Sequence, residues 1–125
     1  MQLGLMIAKL EQIEQQHGGD LPVQYDFGRT QPEDLDSWRG IYAELALGWK
    51  VTQYGDEPMT VTKLLELLRS ARGATFRGYK GGDYTMGDHT RVHMDNYGEC
   101  TSTSIAMITT DSYSVTIHTQ NEAVL

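Results

Sequence analysis

Two stretches of this chain repeat their apolar residues at helical spacing, and the residues from 75 onward do not. Leu3, Met6, Ile7, Leu10 and Ile13 fall on one face of a helix, with Lys9, Glu11, Glu14 and Gln15 on the other, and Gly18-Gly19 supplies a stop. The spacing predicts a helix over 3–16. A second helix is predicted where Thr60 can cap an apolar face of Val61, Leu64, Leu65 and Leu68 that ends at Gly73. The segment 75–125 is rich in Gly, Thr, Tyr and Val and poor in helix formers, which points to short antiparallel strands at 75–79, 84–86, 92–96, 103–109 and 113–119. Thr110-Asp111-Ser112 reads as the turn of the last hairpin.

Between the helices, Leu21, Val23, Tyr25 and Phe27 alternate with polar residues as a half-buried strand does. Residues 28–36 read as an acidic loop, and the alternation of Ile41, Ala43, Leu45, Leu47 and Trp49 implies a second strand over roughly 39–50. The expected class is α+β: one mainly antiparallel β-sheet of roughly five to seven strands carrying two amphipathic helices on one face. A length of 125 residues fits a single domain over 1–125, and a chain this size buries about two thirds of its unfolded surface. The final five residues are expected to fray.

One cysteine, Cys100, cannot close an intramolecular disulfide, which fits a reducing compartment. The apolar start, Met1 to Ala8, has no basic flank and is broken by Lys9 and Glu11, unlike a signal peptide. No apolar window of about 18 residues is present to suggest a membrane span.

The net charge of -7 argues against duplex nucleic acid and anionic lipid as partners, but the charge is unevenly spread. Residues 63–91 carry Lys63, Arg69, Arg72, Arg77, Lys80 and Arg91 against Glu66, Asp83 and Asp88, while residues 92–125 contain no Lys or Arg. A phosphate would meet this basic island, with Arg39 as a further candidate. Lys63, Arg69 and Arg72 also fit the solvated face and C-terminal end of the second helix.

His89 and His93, near Asp88, Asp95 and Cys100, invite a metal reading. Their spacing argues against it, since on a strand two such histidines stand about 13 Å apart; exposed strand and turn histidines are the simpler reading, and no metal or cofactor is expected. There is no Gly-x-Ser-x-Gly elbow, and the run 101–104 suits a strand with hydroxyls on its polar face. No catalytic set is therefore expected. The run Gly78-Tyr79-Lys80-Gly81-Gly82-Asp83-Tyr84 has two readings: backbone amides, Lys80 and the rings of Tyr79 and Tyr84 arranged for an anion-bearing purine, or a hairpin turn whose glycines supply positive φ. Trp38-Arg39 places a phosphate-clamping guanidinium beside an indole that can stack on a ligand or anchor the loop. The alternative for Arg39 is an ion pair with Asp34, Asp36 or Glu44.

The segments Tyr25-Asp26-Phe27, Asp36-Ser37-Trp38-Arg39-Gly40-Ile41-Tyr42-Ala43-Glu44-Leu45-Ala46-Leu47-Gly48 and Gly78-Tyr79-Lys80-Gly81-Gly82-Asp83-Tyr84-Thr85-Met86 resemble the phage-encoded Thoeris anti-defence proteins of the first type. The resemblance runs over most of 23–109. It implies a non-enzymatic oligomer in the cytoplasm of an infected bacterial host that binds cyclic ADP-ribose-type signals made by TIR proteins and withholds them from their effector; some relatives also hold cyclic oligonucleotides. Within the resemblance, Met86 and Asn96 correspond to an aromatic or apolar residue followed ten positions later by Asn. The family's late pair of arginines has no counterpart after Arg91.

The expected ligand-binding residues are Trp38, Arg39, Arg77, Tyr79, Lys80, Tyr84, Met86, Arg91, Asn96 and Tyr97. Arg39, Arg77, Lys80 and Arg91 would serve phosphate, the tyrosines a base, and Asn96 a sugar or base edge. A dimer or higher assembly is expected, because a chain this short offers little room for a deep pocket of its own. The alternative function is an acidic inhibitor that presents the carboxylates of 26–36 directly to a host defence protein.

Overall fold

The computed structural model describes residues 1–97 and 102–121. In chain order the elements are α1 (Leu3–His17), β1 (Val23–Tyr25), β2 (Thr30–Ser37), β3 (Leu45–Val51), α2 (Val61–Ala71), β4 (Thr75–Arg77), β5 (Asp83–Thr85), β6 (Val92–Met94), β7 (Thr103–Thr110) and β8 (Val115–Asn121). The class is α+β, with both helices where their periodicity puts them. No helix among the described residues is long and apolar enough to cross a membrane.

The helices are held at their N-terminal ends by distant backbone. Leu3 and Gly4 of α1 donate to the carbonyls of Thr90 and Asp88, replacing the side-chain cap that Gln2 does not provide. Thr60 Oγ1 accepts from the Lys63 amide, and Val61 and Thr62 donate to Leu21 and Gly19. The buried faces, Leu3, Met6, Ile7, Leu10 and Ile13 of α1 and Val61, Leu64, Leu65 and Leu68 of α2, form one core with Leu45 and Leu47 of β3, Val92 of β6 and Val115 and Ile117 of β8.

The main sheet has six strands in the order β1-β8-β7-β6-β3-β2, and β4 and β5 form a separate hairpin. The β2/β3, β6/β7 and β7/β8 pairs are antiparallel; β1/β8 and β3/β6 are parallel. The sheet is thus mixed. Its two edge strands, β1 and β2, are joined by residues 26–29 alone. Five Cα steps reach about 18 Å at full extension, whereas the edges of a flat six-stranded sheet would lie about 24 Å apart. The sheet must therefore curl strongly.

Two expectations are corrected. Residues 30–37 are an edge strand, not a loop: Glu33, Asp34 and Asp36 are exposed, while Thr30, Gln31, Pro32 and Ser37 are buried, and a register shift between Pro32 and Leu35 breaks the alternation. The strand predicted over 39–50 starts only at Leu45; residues 38–44 form a loop in which Ile41 is 53% exposed.

Tyr25 ties β1 across the curled sheet, its hydroxyl lying 3.2 Å from the carbonyls of both Leu47 and Gly48. Burial pushes this phenol well above its ordinary value of 10.0, and negative charge at Tyr97, Asp95 and Asp34 adds to the shift. The folded protein keeps the proton to higher pH than the unfolded chain does, so this stabilisation is whole below about pH 10 and is lost as pH rises through the raised folded value. Thermal melts at rising alkaline pH are expected to show a shallower decline for Tyr25→Phe than for the parent; equal slopes would remove Tyr25 as a cause.

Candidate functional site

The loop 38–44 leaves β2 and enters β3, and short bonds close it. The Trp38 amide donates to the Glu44 carbonyl at 2.7 Å, the Glu44 amide to the Ile41 carbonyl at 2.9 Å, and Ser37 Oγ to the Tyr42 carbonyl at 2.6 Å. Gly40 passes directly over the Trp38 indole: a Cβ there would lie 2.5 to 2.8 Å from three ring atoms. No other residue fits without displacing the ring.

Trp38 is buried and stacks on the His93 imidazole of β6, with centroids 3.8 Å apart and planes 19° from parallel. Of its two readings, ligand platform and loop anchor, the second describes this position. His93 is only 1% exposed, which corrects the reading of it as an exposed strand histidine, and its Nε2 lies 3.0 Å from Glu44 Oε1. Trp38 Nε1 and His93 Nδ1 are buried without hydrogen-bond partners among the described residues, an arrangement that costs about 1–3 kcal/mol per group.

The glycine-rich run is the turn of the β4–β5 hairpin. Arg77 pairs in register with Asp83 and Phe76 with Tyr84. Gly78 and Gly81 are bonded within the turn, through Gly78 N to Gly82 O and Gly81 N to Gly78 O, both 2.9 Å. Their amides are therefore spent on the turn and do not cradle an anion. Gly81 and Gly82 take φ of +94° and +86°, a left-handed pair that side chains resist. Tyr79 and Lys80 are exposed at the tip, and the half-buried Tyr84 ring packs over Gly78, where a Cβ would come within 2.9 Å of it.

Loop and hairpin meet. The Arg39 guanidinium lies 3.8 Å over the centre of the Tyr79 ring, and Tyr42 approaches Tyr84 at 6.1 Å between centroids. Among the described residues Arg39 makes no ion pair with Asp34, Asp36 or Glu44. Arg39 also lines a cavity of about 180 Å³, with Asp36, Ser37, Asp95 and Tyr97.

Tyr97 is the non-glycine residue with positive φ, +51°, among the described residues. Its hydroxyl accepts from the Trp49 amide at 2.9 Å and donates to the Trp49 carbonyl at 2.8 Å, so a side chain completes the β3 ladder where β6 has ended. Its own amide donates to Asp95 Oδ1 at 2.8 Å. Burial raises the phenol's pKa; the Trp49 hydrogen bond opposes this, and negative charge on Asp95, Asp34 and Glu33 adds to it.

The structure thus gathers Trp38, Arg39, Tyr79 and Tyr84, with Lys80 at the same turn, and joins Tyr97 to them through the Arg39 cavity. Others stand apart. Met86 is 2% exposed in the core, bonded through its backbone to Gly73 and Ala74, so its side chain meets no outside ligand in this arrangement. Arg91 is exposed at the bridge to Gln2 that precedes β6, whereas half-buried Asn96 lies in the chain between Asp95 and Tyr97, two residues that line the Arg39 cavity. Within the basic island, Lys63, Arg69 and Arg72 face Glu57, Glu11 and Asp88 at 3.4, 3.9 and 2.8 Å, consistent with a solvated helix face. Cys100, and with it part of the run 101–104, lies outside the described residues, as do residues 122–125.

Tyr42, Glu44, His93 and Asp95 belong to this region although none of them was expected to bind ligand: Glu44 stood only as an ion-pair alternative for Arg39, and His93 and Asp95 only in a metal reading that their spacing argued against. Tyr42 carried a further signal, an aromatic three residues from Arg39. Comparison with protein-family models, curated proteins and solved structures finds no match to this chain.

Proposed function

We propose that this protein is a non-catalytic sponge that binds a nucleotide-derived immune signal of the cyclic ADP-ribose type and withholds it intact. The observation that supports this reading is the meeting of loop 38–44 with the hairpin turn 78–82. Two of the three segments that carry the family resemblance, 36–48 and 78–86, lie about forty residues apart in the chain, yet Arg39 rests on Tyr79. They form one exposed patch with Arg39, Lys80 and Arg77 for phosphate and the 65% exposed Tyr79 ring for a base. Half-buried Asn96 is the candidate for a sugar or base edge.

The cavity beside Arg39, about 180 Å³, is smaller than the roughly 300–1,000 Å³ typical of small-molecule sites. A second copy closing over the loop and hairpin would supply the missing wall, so the sponge is proposed to act as a dimer or larger assembly in the host cytoplasm.

The test is capture followed by heat release. Purified protein is incubated with a cyclic ADP-ribose isomer made by a TIR enzyme, separated from free signal and denatured. Recovery of the unaltered signal supports the sponge, and a changed product indicates an enzyme instead. Absence of uptake overturns the reading and favours the direct inhibitor, whose surface would be the exposed carboxylates Glu33, Asp34 and Asp36 on β2.

Tyr79→Ala is expected to weaken capture by roughly tenfold to a hundredfold, the worth of one stacked base, with little change in melting temperature, because the ring projects from the turn. Titration calorimetry on parent and variant checks this. Tyr84→Ala is expected to lower stability as well, since that ring supports Gly78 and Tyr42.

A further inference from the structure

We propose that His93 is the positioning residue of the capture loop: by gripping both ends of residues 38–44 it holds Arg39 in place before any ligand arrives. The inference rests on the capture reading for its functional part, but the grip itself is a matter of geometry. One face of the imidazole carries the Trp38 ring at 3.8 Å, and its edge meets Glu44 Oε1 at 3.0 Å. Those two residues are already joined, backbone to backbone, by the Trp38 amide and the Glu44 carbonyl. His93 thus lies beneath the neck of the loop and ties its two ends a second time.

The residue type follows from the task. A carboxylate only accepts, so Nε2 must carry the proton that faces Glu44. Phenylalanine could stack on the indole but has no donor at its edge, and glutamine could donate but has no ring. An imidazole does both at once. Buried at 1% exposure on β6, it is fixed by the strand on which it sits.

Above this neck the loop projects the exposed Arg39 and Ile41, tethered outward by the Arg39–Tyr79 contact, and an exposed cation–π pair is a weak tether by itself. With the neck fixed, the ligand need not order the guanidinium, and that ordering cost is removed from binding. The unpartnered Trp38 Nε1 and His93 Nδ1 both sit in this neck. Opening it would return them to water, so the closed loop depends on the grip.

The experiment uses trypsin, which cleaves after Arg39 when the loop opens and after Arg69 in α2 only when the helix itself unfolds. His93→Phe keeps the stack and removes the donor; His93→Gln keeps a donor and removes the ring, and serves if the first variant folds poorly. Glu44→Gln is the conservative control, because its amide oxygen still accepts from Nε2. The expected result is cleavage after Arg39 accelerated by about tenfold or more in the His93 variants, unchanged cleavage after Arg69, and near-parent behaviour in Glu44→Gln. Capture of the TIR-made cyclic ADP-ribose isomer should fall in step with loop opening.

Cleavage after Arg39 at the parental rate in a folded His93 variant overturns the grip. Parallel acceleration at Arg39 and Arg69 also overturns it, since His93 would then act on the whole fold. If the parent itself captures no signal, the capture reading fails, yet the two cleavage rates still decide whether His93 holds the loop.

Discussion

Arg39→Ala is expected to reduce signal capture by roughly thirtyfold to several thousandfold while leaving the melting temperature of the free protein nearly unchanged. The size follows from the cost of leaving a desolvated phosphate without its charged partner, about 2 to 5 kcal/mol. The indifference of the fold follows from where the guanidinium lies: over the exposed Tyr79 ring, outside the core and in no ion pair among the described residues. Calorimetric titration and a ligand-free melt on the same preparation check both halves. In the parent, ligand should raise the melting temperature, and in the variant far less. Unchanged affinity would move the phosphate site away from the loop. A large loss of stability with normal binding in the folded fraction would make Arg39 a structural residue.

The converse is expected at Leu65. This side chain is wholly buried in α2, in the layer shared with α1 and the sheet. Leu65→Ala removes buried methylene groups and leaves a cavity, and such truncations cost about 2 to 5 kcal/mol. That is a large part of the roughly 5 to 15 kcal/mol that holds a domain of this size together. Denaturant unfolding should report the loss, whereas capture per folded molecule should match the parent, because Arg39 and Tyr79 are exposed and lie outside the core to which Leu65 belongs. A variant that loses capture in proportion to stability would show that core and patch are not separable.

The helices were legible because their signal is local: five apolar residues of α1 at helical spacing, and a Thr60 cap ahead of an apolar stripe in α2, need no knowledge of the remaining chain. β2 was not. Glu33, Asp34 and Asp36 read as a loop, but at the sheet edge a strand can turn one face wholly to solvent, and the irregularity between Pro32 and Leu35 hid the period of two. Residues 41–44 failed in the opposite way. Ile41 and Ala43 continue the alternation of Leu45 and Leu47, yet the Ser37 Oγ bond to the Tyr42 carbonyl and the passage of Gly40 over Trp38 bend this stretch into a loop.

His93 was misread for a related reason. On β6 its neighbours Val92 and Met94 face the core, so period two sends the imidazole to the other side, where solvent is the natural expectation. What covers it is Trp38, more than fifty positions earlier, and no local pattern announces that contact. The parallel pairings of β1 with β8 and β3 with β6 are likewise long-range facts. Of the proposed binding patch, Trp38-Arg39 and the glycine-rich turn stood out as residue types; that they touch was visible only in three dimensions.

The pairing of β1 with β8 bears on the order in which this chain can be assembled as it is made. Val23 finds its partner in Val115, roughly ninety residues further on, and contacts of such separation form late and slowly. While β8 is still to be synthesised, Val23 to Tyr25 has no strand beside it, and Tyr25 cannot yet be sealed inside the curled sheet. A growing chain in this condition exposes an apolar strand edge, open to mispairing with its neighbours on the same message. Pro22, which offers no amide hydrogen, stands immediately before that edge. The slow step in producing this protein is therefore expected to be the arrival of its last strand, not the formation of its helices.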